Sequence, residues 1–198
     1  MREGLEPLEG QALQVQRRQP FARSSPGITV PGVATDAGIE RLVVPESPGG
    51  EGWDDFVQLT EVRNACRRVD GGHQRDTSPE FLLGGWHEAG QTEPETVVAR
   101  RDGTVVSFAE YHREEPEVAP VGWFELFVLP EHRRRGIGAR LYDEIERLAA
   151  DDGRTTLIAD FSSPPREGPV VAASNGAGGV PADDPGARFA LARGYALG

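Results

Sequence analysis

Apolar positions along the chain recur at two different spacings, and the places where the spacing changes divide it into elements. Ile39 to Val44 reads as a first strand, stopped by Pro45. From Trp53 to Val69, Phe56, Leu59, Val62, Cys66 and Val69 recur at steps of three and four, the period of a helix with one buried face. Gly71 and Gly72 end it. Thr77-Ser78-Pro79-Glu80 predicts a second helix start, a hydroxyl cap followed by proline in the first turn. Phe81, Leu82, Leu83 and Trp86 are its expected apolar face. Thr96 to Arg101 and Thr104 to His112 then flank Asp102-Gly103, a dipeptide favoured in two-residue hairpin turns.

After a polar loop, Val121 to Leu129 reads as a buried strand terminated by Pro130. Gly136 to Ala150 is amphipathic, with Ile137, Leu141, Ile145 and Leu148 on one stripe. Thr155 to Phe161 is a further strand, and Asp184 to Arg193 a last helix stopped by Gly194. A hairpin followed by a strand–helix–strand crossover predicts an α/β protein with a mixed sheet. Residues 1–38 have few large apolar side chains and are expected to be a poorly ordered lead-in. The stretch 162–181, rich in Pro, Gly, Ala and Ser, is expected to be a flexible loop. The remainder, 39–198, is expected to form one domain.

Composition narrows the function. A net charge of −11 argues against nucleic acid as a primary partner, because phosphate backbones bind basic surfaces. A single cysteine, Cys66, allows no internal disulfide and fits the apolar stripe of its helix as a small core residue. No apolar run reaches the ~18 residues of a membrane helix, and the N-terminus has no signal-peptide core. A soluble cytoplasmic protein is the expectation. No metal site is expected.

The strongest chemical signal is Val128-Leu129-Pro130-Glu131-His132-Arg133-Arg134-Arg135-Gly136-Ile137-Gly138-Ala139. It predicts a strand, a loop and a helix start. The first turn of a helix presents backbone N–H groups without partners and the positive end of the dipole. Two glycines let an anion approach those donors, and three arginines reverse the sign of an acidic chain locally. A pyrophosphate is the expected ligand. A dinucleotide-binding turn is the competing reading, with Asp160 near the ~20-residue spacing of a ribose-binding acid. Against it, the third glycine position is Leu141, residues 130–135 separate strand from glycine, and a hairpin precedes.

These residues resemble the GNAT family of N-acetyltransferases. The family's central motif, Arg/Gln-x-x-Gly-x-Gly/Ala after a strand ending Val-x-Pro, is matched by Arg133, Gly136 and Gly138 after Val128-Leu129-Pro130. A later motif of a helix closing on Gly-Phe/Tyr looks like Ala187 to Gly194-Tyr195. The likeness runs from about Ile39 to the C-terminus. It implies the GNAT-like acyl-CoA N-acyltransferase fold, acetyl-CoA as co-substrate, and transfer of an acetyl group to a primary amine by direct attack.

The resemblance also implies roles. Backbone groups of Leu126 and Val128 would pair with the pantetheine arm, and the Val128 amide would polarise the thioester carbonyl. Arg133, Arg134, Arg135, Gly136, Ile137, Gly138 and Ala139 would hold the pyrophosphate. Glu125 would be the catalytic base, with Glu110, Tyr111 and His112 as second choices. Two departures stand out. Ala190 occupies the position where many members carry a tyrosine acid, and Asp184 replaces an asparagine. One or two closing strands are expected to be missing after the last helix. That suggests the N-terminal half of a tandem-domain member, completed by a second GNAT domain or by a homodimer, and it leaves an acyl-CoA-binding half without catalysis as the alternative. The acceptor would be a small-molecule or protein amine.

Overall fold

The computed structural model describes residues 11–18, 38–71, 75–88, 93–113, 120–164, 166–176 and 178–198. In chain order the elements are β1 (Gln11–Arg18), β2 (Gly38–Arg41), α1 (Trp53–Asp70), α2 (Pro79–Trp86), β3 (Glu95–Arg101), β4 (Thr104–Arg113), β5 (Val121–Val128), α3 (Ile137–Asp151), β6 (Thr156–Ser163), β7 (Val170–Ala172), β8 (Gly179–Pro181), α4 (Pro185–Leu191) and β9 (Ala196–Leu197). A short 3-10 turn, Pro130–His132, separates β5 from α3. Among the described residues seven strands form one mixed sheet in the order β2-β3-β4-β5-β6-β1-β9, and β7 pairs with β8 in a separate hairpin.

Local chemistry explains most of these boundaries. Asp102 and Gly103 both have positive φ (51° and 81°), the backbone that a two-residue type I′ turn requires between right-twisted strands. The Ser78 hydroxyl accepts from the Phe81 N–H at 3.2 Å, so α2 starts at Pro79 as its sequence predicts. Asp184 caps α4 by accepting from the Ala187 N–H at 2.9 Å, and it also accepts from the Ser163 hydroxyl at 2.8 Å.

Two cores lie on opposite faces of the sheet. On one face, Phe56, Leu59, Val62 and Cys66 of α1 join Leu83 and Trp86 of α2 over Val98 and Phe108. On the other, Leu141, Tyr142, Ile145 and Leu148 of α3 cover Ala109, Tyr111 and Phe124. Phe81 of α2 does not join the first of these cores. It is 78% exposed, because only Leu83 and Trp86 of that short helix turn fully inward.

Three expectations from the sequence need correction. Residues 11–18, inside the stretch expected to be poorly ordered, form a strand paired with β6 over eight positions, from Gln11↔Ser163 to Arg18↔Thr156. Residues 1–10 and 19–37 lie outside the described residues. The place beside β6 expected to be vacant is therefore held by β1, and β9 pairs on the far side of β1. Val15 points into the core at 2% exposure, and Arg17 donates to Tyr142 Oη on α3 at 2.9 Å. The stretch 162–181 is also more regular than a flexible loop. β6 continues to Ser163 and the β7–β8 hairpin follows, with residues 165 and 177 outside the described set.

Candidate active site

The centre of the sheet opens at β5. It runs antiparallel to β4 along its length but pairs with parallel β6 only at Val121↔Thr156, Gly122↔Leu157 and Trp123↔Ile158. Beyond Trp123 the two strands part, while β6 stays paired with β1 along its other edge. The Leu129 N–H donates to the Val106 carbonyl across the β4–β5 ladder. Strand alternation then turns the backbone groups of Phe124, Leu126 and Val128 away from β4, towards the opening. The Leu126 backbone groups and the Val128 N–H line the resulting wedge, a shape that takes an extended chain bearing amides.

α3 begins at the wide end of this wedge. Its N-cap, Gly136, is left-handed (φ 79°), no side chain caps the helix, and its first turn carries no acidic residue. The contrast with α1 is informative. That helix also starts from a left-handed glycine without a side-chain cap, but Asp54 and Asp55 occupy its first turn. At α3 no acidic residue of the first turn offsets the dipole. Gly136, Arg134 and Arg135 are exposed, so nothing described covers the helix end. A Cβ on Gly138 would touch Val128, Leu126 and Phe189 at 3.5–3.6 Å, so this glycine brings the helix start close over β5. The residues present fit a coenzyme A pyrophosphate and pantetheine.

Arg133 behaves differently from its two neighbours. Its guanidinium holds Asp70 of α1 through two bonds of 2.8 and 2.6 Å, and its Nε donates to the Val128 carbonyl at 2.9 Å. The Cys66 thiol donates to the same carbonyl at 3.2 Å. Arg133 thus ties the loop to α1 rather than reaching an anion at α3. Burial pushes the Cys66 thiol up to about 11, which keeps it protonated and inert.

Glu125 points to the opposite face from Leu126 and Val128, towards α1. Its carboxylate is held by Arg63, with Arg67 Nη2 at 3.7 Å from its other oxygen. Arg63 also donates to Glu110 at 2.9 Å, and His112 Nε2 lies 3.4 Å from the second Glu110 oxygen. Burial raises the Glu125 pKa from its ordinary value and Glu110 adds to the rise, while Arg63 and Arg67 oppose it. These side chains line a pocket of about 300 Å³ whose apolar wall is Phe81, Leu82 and Trp86. Glu110 is buried at 1% exposure, and Tyr111 is fully buried with its hydroxyl 3.2 Å from Asp152, outside the pocket. Sequence reasoning missed Arg63 and Arg67. Both fall at helical spacing beside the apolar stripe of α1, where a cation reads as solvated surface.

No tyrosine stands where a thiolate acid is expected. Ala190 is buried at 7%, and the neighbouring hydroxyls, Tyr142 and Tyr195, bond each other at 3.0 Å within the core.

An open β5–β6 wedge ending at a bare helix start defines an acyl-CoA-binding fold. Residues 56–165 match the Acetyltransferase (GNAT) family, more than half of the chain, and the chain belongs to that family. It is an acetyltransferase whose acetyl donor is acetyl-CoA. Its fold is similar to a GCN5-related N-acetyltransferase from Sphaerobacter thermophilus, with a TM-score of 0.60 and 14% identity over 98% of this chain and 50% of that one. It is similar to a tandem GNAT protein from the clavulanic acid biosynthesis pathway, with a TM-score of 0.54 and 26% identity over 79% of this chain and 43% of that one. It is also similar to a ribosomal-protein-alanine N-acetyltransferase from Brucella melitensis, with a TM-score of 0.50 and 20% identity over 79% of this chain and 81% of that one. The chain spans half or less of the first two. None of the curated proteins matches it. Among the described residues no helix is long and apolar enough to cross a membrane.

Proposed function

We propose that this chain acetylates a primary amine by direct attack, with Glu125 as the base that frees the amine of its proton. The observation that carries the reading is the position of Glu125: half-buried, with its pKa raised by burial, in a pocket on the side of β5 opposite α3. Strand rise separates Glu125 from Val128 by about 10 Å. The proton therefore passes to Glu125 through water held in the pocket.

Acetyl-CoA supplies an activated acyl group, and the chain's own residues position it. Leu126 offers a backbone donor and acceptor along the wedge and Val128 its N–H, the Val128 carbonyl being held by Arg133 and Cys66. The Val128 N–H is the donor for the thioester oxygen, an oxyanion-type role. The N–H groups of Ile137, Gly138 and Ala139, with the Gly136 backbone, receive the pyrophosphate, and Arg134 and Arg135 add charge. Arg133 is left out of this set because Asp70 and the Val128 carbonyl occupy it.

The test is thiol release from acetyl-CoA with a panel of primary amines, beside a direct acetyl-CoA titration. Amine-dependent thiol release by the wild type, lost in Glu125→Gln while acetyl-CoA binding persists, is the expected result. A second reading, an acyl-CoA-binding half without catalysis, is favoured by Ala190 at the acid position. Binding without turnover for every amine would select it.

A further inference from the structure

We infer that Arg67 is a carboxylate-recognition residue and that the acceptor is a small α-amino acid carrying an apolar side chain. The inference rests on Glu125 receiving the amine, as proposed above.

Arg63 and Arg67 lie one helical turn apart on α1 and both face the pocket. Arg63 is committed. Its two terminal nitrogens hold Glu110 and Glu125, and it is 8% exposed. Arg67 is not committed. Its nearest acidic oxygen among the described residues is Glu125 Oε1 at 3.7 Å, too long for a hydrogen bond. Its side chain is 30% exposed. A half-buried guanidinium with donors to spare, placed beside the base, is suited to a planar anion held by two parallel bonds.

Charge in the pocket points the same way. Arg63 and Arg67 balance Glu110 and Glu125, so the lining is neutral when His112 is neutral. Both carboxylates already have a guanidinium partner or neighbour. Such a pocket has no excess negative charge to draw a polyamine. A zwitterion matches it, with its carboxylate at Arg67 and its ammonium turned to Glu125 through the pocket water. The short gap between Arg67 Nη2 and Glu125 Oε1 suits amine and carboxylate on the same carbon. The opposite wall is apolar. Phe81 presents its ring at 78% exposure, and Leu82 and Trp86 stand beside it. That wall takes an aliphatic or aromatic side chain, and about 300 Å³ suits a small molecule.

The experiment uses matched pairs that differ only in the carboxylate: L-phenylalanine against 2-phenylethylamine, and L-leucine against 3-methylbutylamine. Each is titrated by calorimetry into CoA-loaded protein, and acetyl transfer to each is followed by thiol release. Wild type is expected to bind the amino acid at least tenfold more tightly than its decarboxylated partner. Arg67→Met is expected to bring the two within about twofold, and Arg67→Lys to keep part of the preference. Equal binding of both members by the wild type, binding of neither, or a preference that survives in Arg67→Met overturns the inference. The two proposals separate cleanly. Carboxylate-dependent binding without acetyl transfer upholds Arg67 as the recognition residue and defeats the acetyl transfer proposed above. Transfer to both members without preference does the reverse.

Discussion

The Ser107 hydroxyl donates to the carbonyl oxygen of Phe127 at 2.6 Å, and Ser107 is fully buried. That carbonyl belongs to the same peptide unit as the Val128 N–H. A trans peptide is planar, so fixing the carbonyl against β4 aims the N–H the opposite way, into the wedge. The bond also polarises the amide it anchors. Ser107 therefore positions the donor assigned to the thioester oxygen. Ser107→Ala is expected to lose about 1 kcal/mol of that arrangement, or roughly a five- to tenfold drop in kcat. The acetyl-CoA dissociation constant should stay within about twofold. Steady-state kinetics beside a binding titration read both, and a change in affinity equal to the change in kcat would discard the positioning role.

Glu125 acts as a base only when ionised. Its raised pKa moves the acid limb of the rate profile above the ordinary carboxylate value of about 4.3. The groups facing it are Arg63 and Arg67 from α1 and Glu110 and His112 from β4. The rate is expected to fall as pH drops through this raised value, because protonation removes the acceptor for the amine proton. In Glu125→Gln, kcat should fall by roughly 10²–10⁴ and the limb should vanish. A pH–kcat profile of both proteins decides it, and an unchanged limb in the variant excludes Glu125.

The three arginines of the loop should separate by function. Arg134 is exposed and left-handed (φ 62°), a backbone that strains a residue with a Cβ. Arg134→Gly is expected to weaken CoA binding, more so at low salt, without lowering the melting temperature. Arg135→Ala should weaken binding in the same salt-dependent way. Arg133→Met should instead lower stability by about 1–2 kcal/mol, because it strips the charged partner from Asp70. Denaturant melts and CoA titrations at two salt concentrations test the set.

Cys66 is 1% exposed, bonded to the Val128 carbonyl and pushed up to about 11. Native protein at pH 7 should not react with a thiol-specific disulfide reagent, and denatured protein should titrate one thiol per chain. A fast-reacting thiol in the native state would show that α1 opens away from β5.

Elements with strong local signals were legible without coordinates. The α1 stripe, the Asp102-Gly103 turn, the Ser78 and Asp184 caps and the glycine start of α3 each depend on residues close together in the chain. Their physics is local: a helical period, a positive φ, a hydroxyl or carboxylate within three residues of the N–H it accepts. The strand β1 was not legible. Gln11–Arg18 has a weak apolar alternation, and it is a strand because β6 and β9, far along the chain, present edges for it to pair with.

The site divides along the same line. Sequence alone placed a glycine-started helix after β5 and a carboxylate, Glu125, on that strand, and the family resemblance gave both their expected roles. Tertiary structure decided what each charge does. It turned Arg133 to Asp70, set Arg63 between two carboxylates, and left Arg67 facing the pocket. A guanidinium on a long side chain takes the partner that folding brings within reach, and those partners come from other elements of the chain.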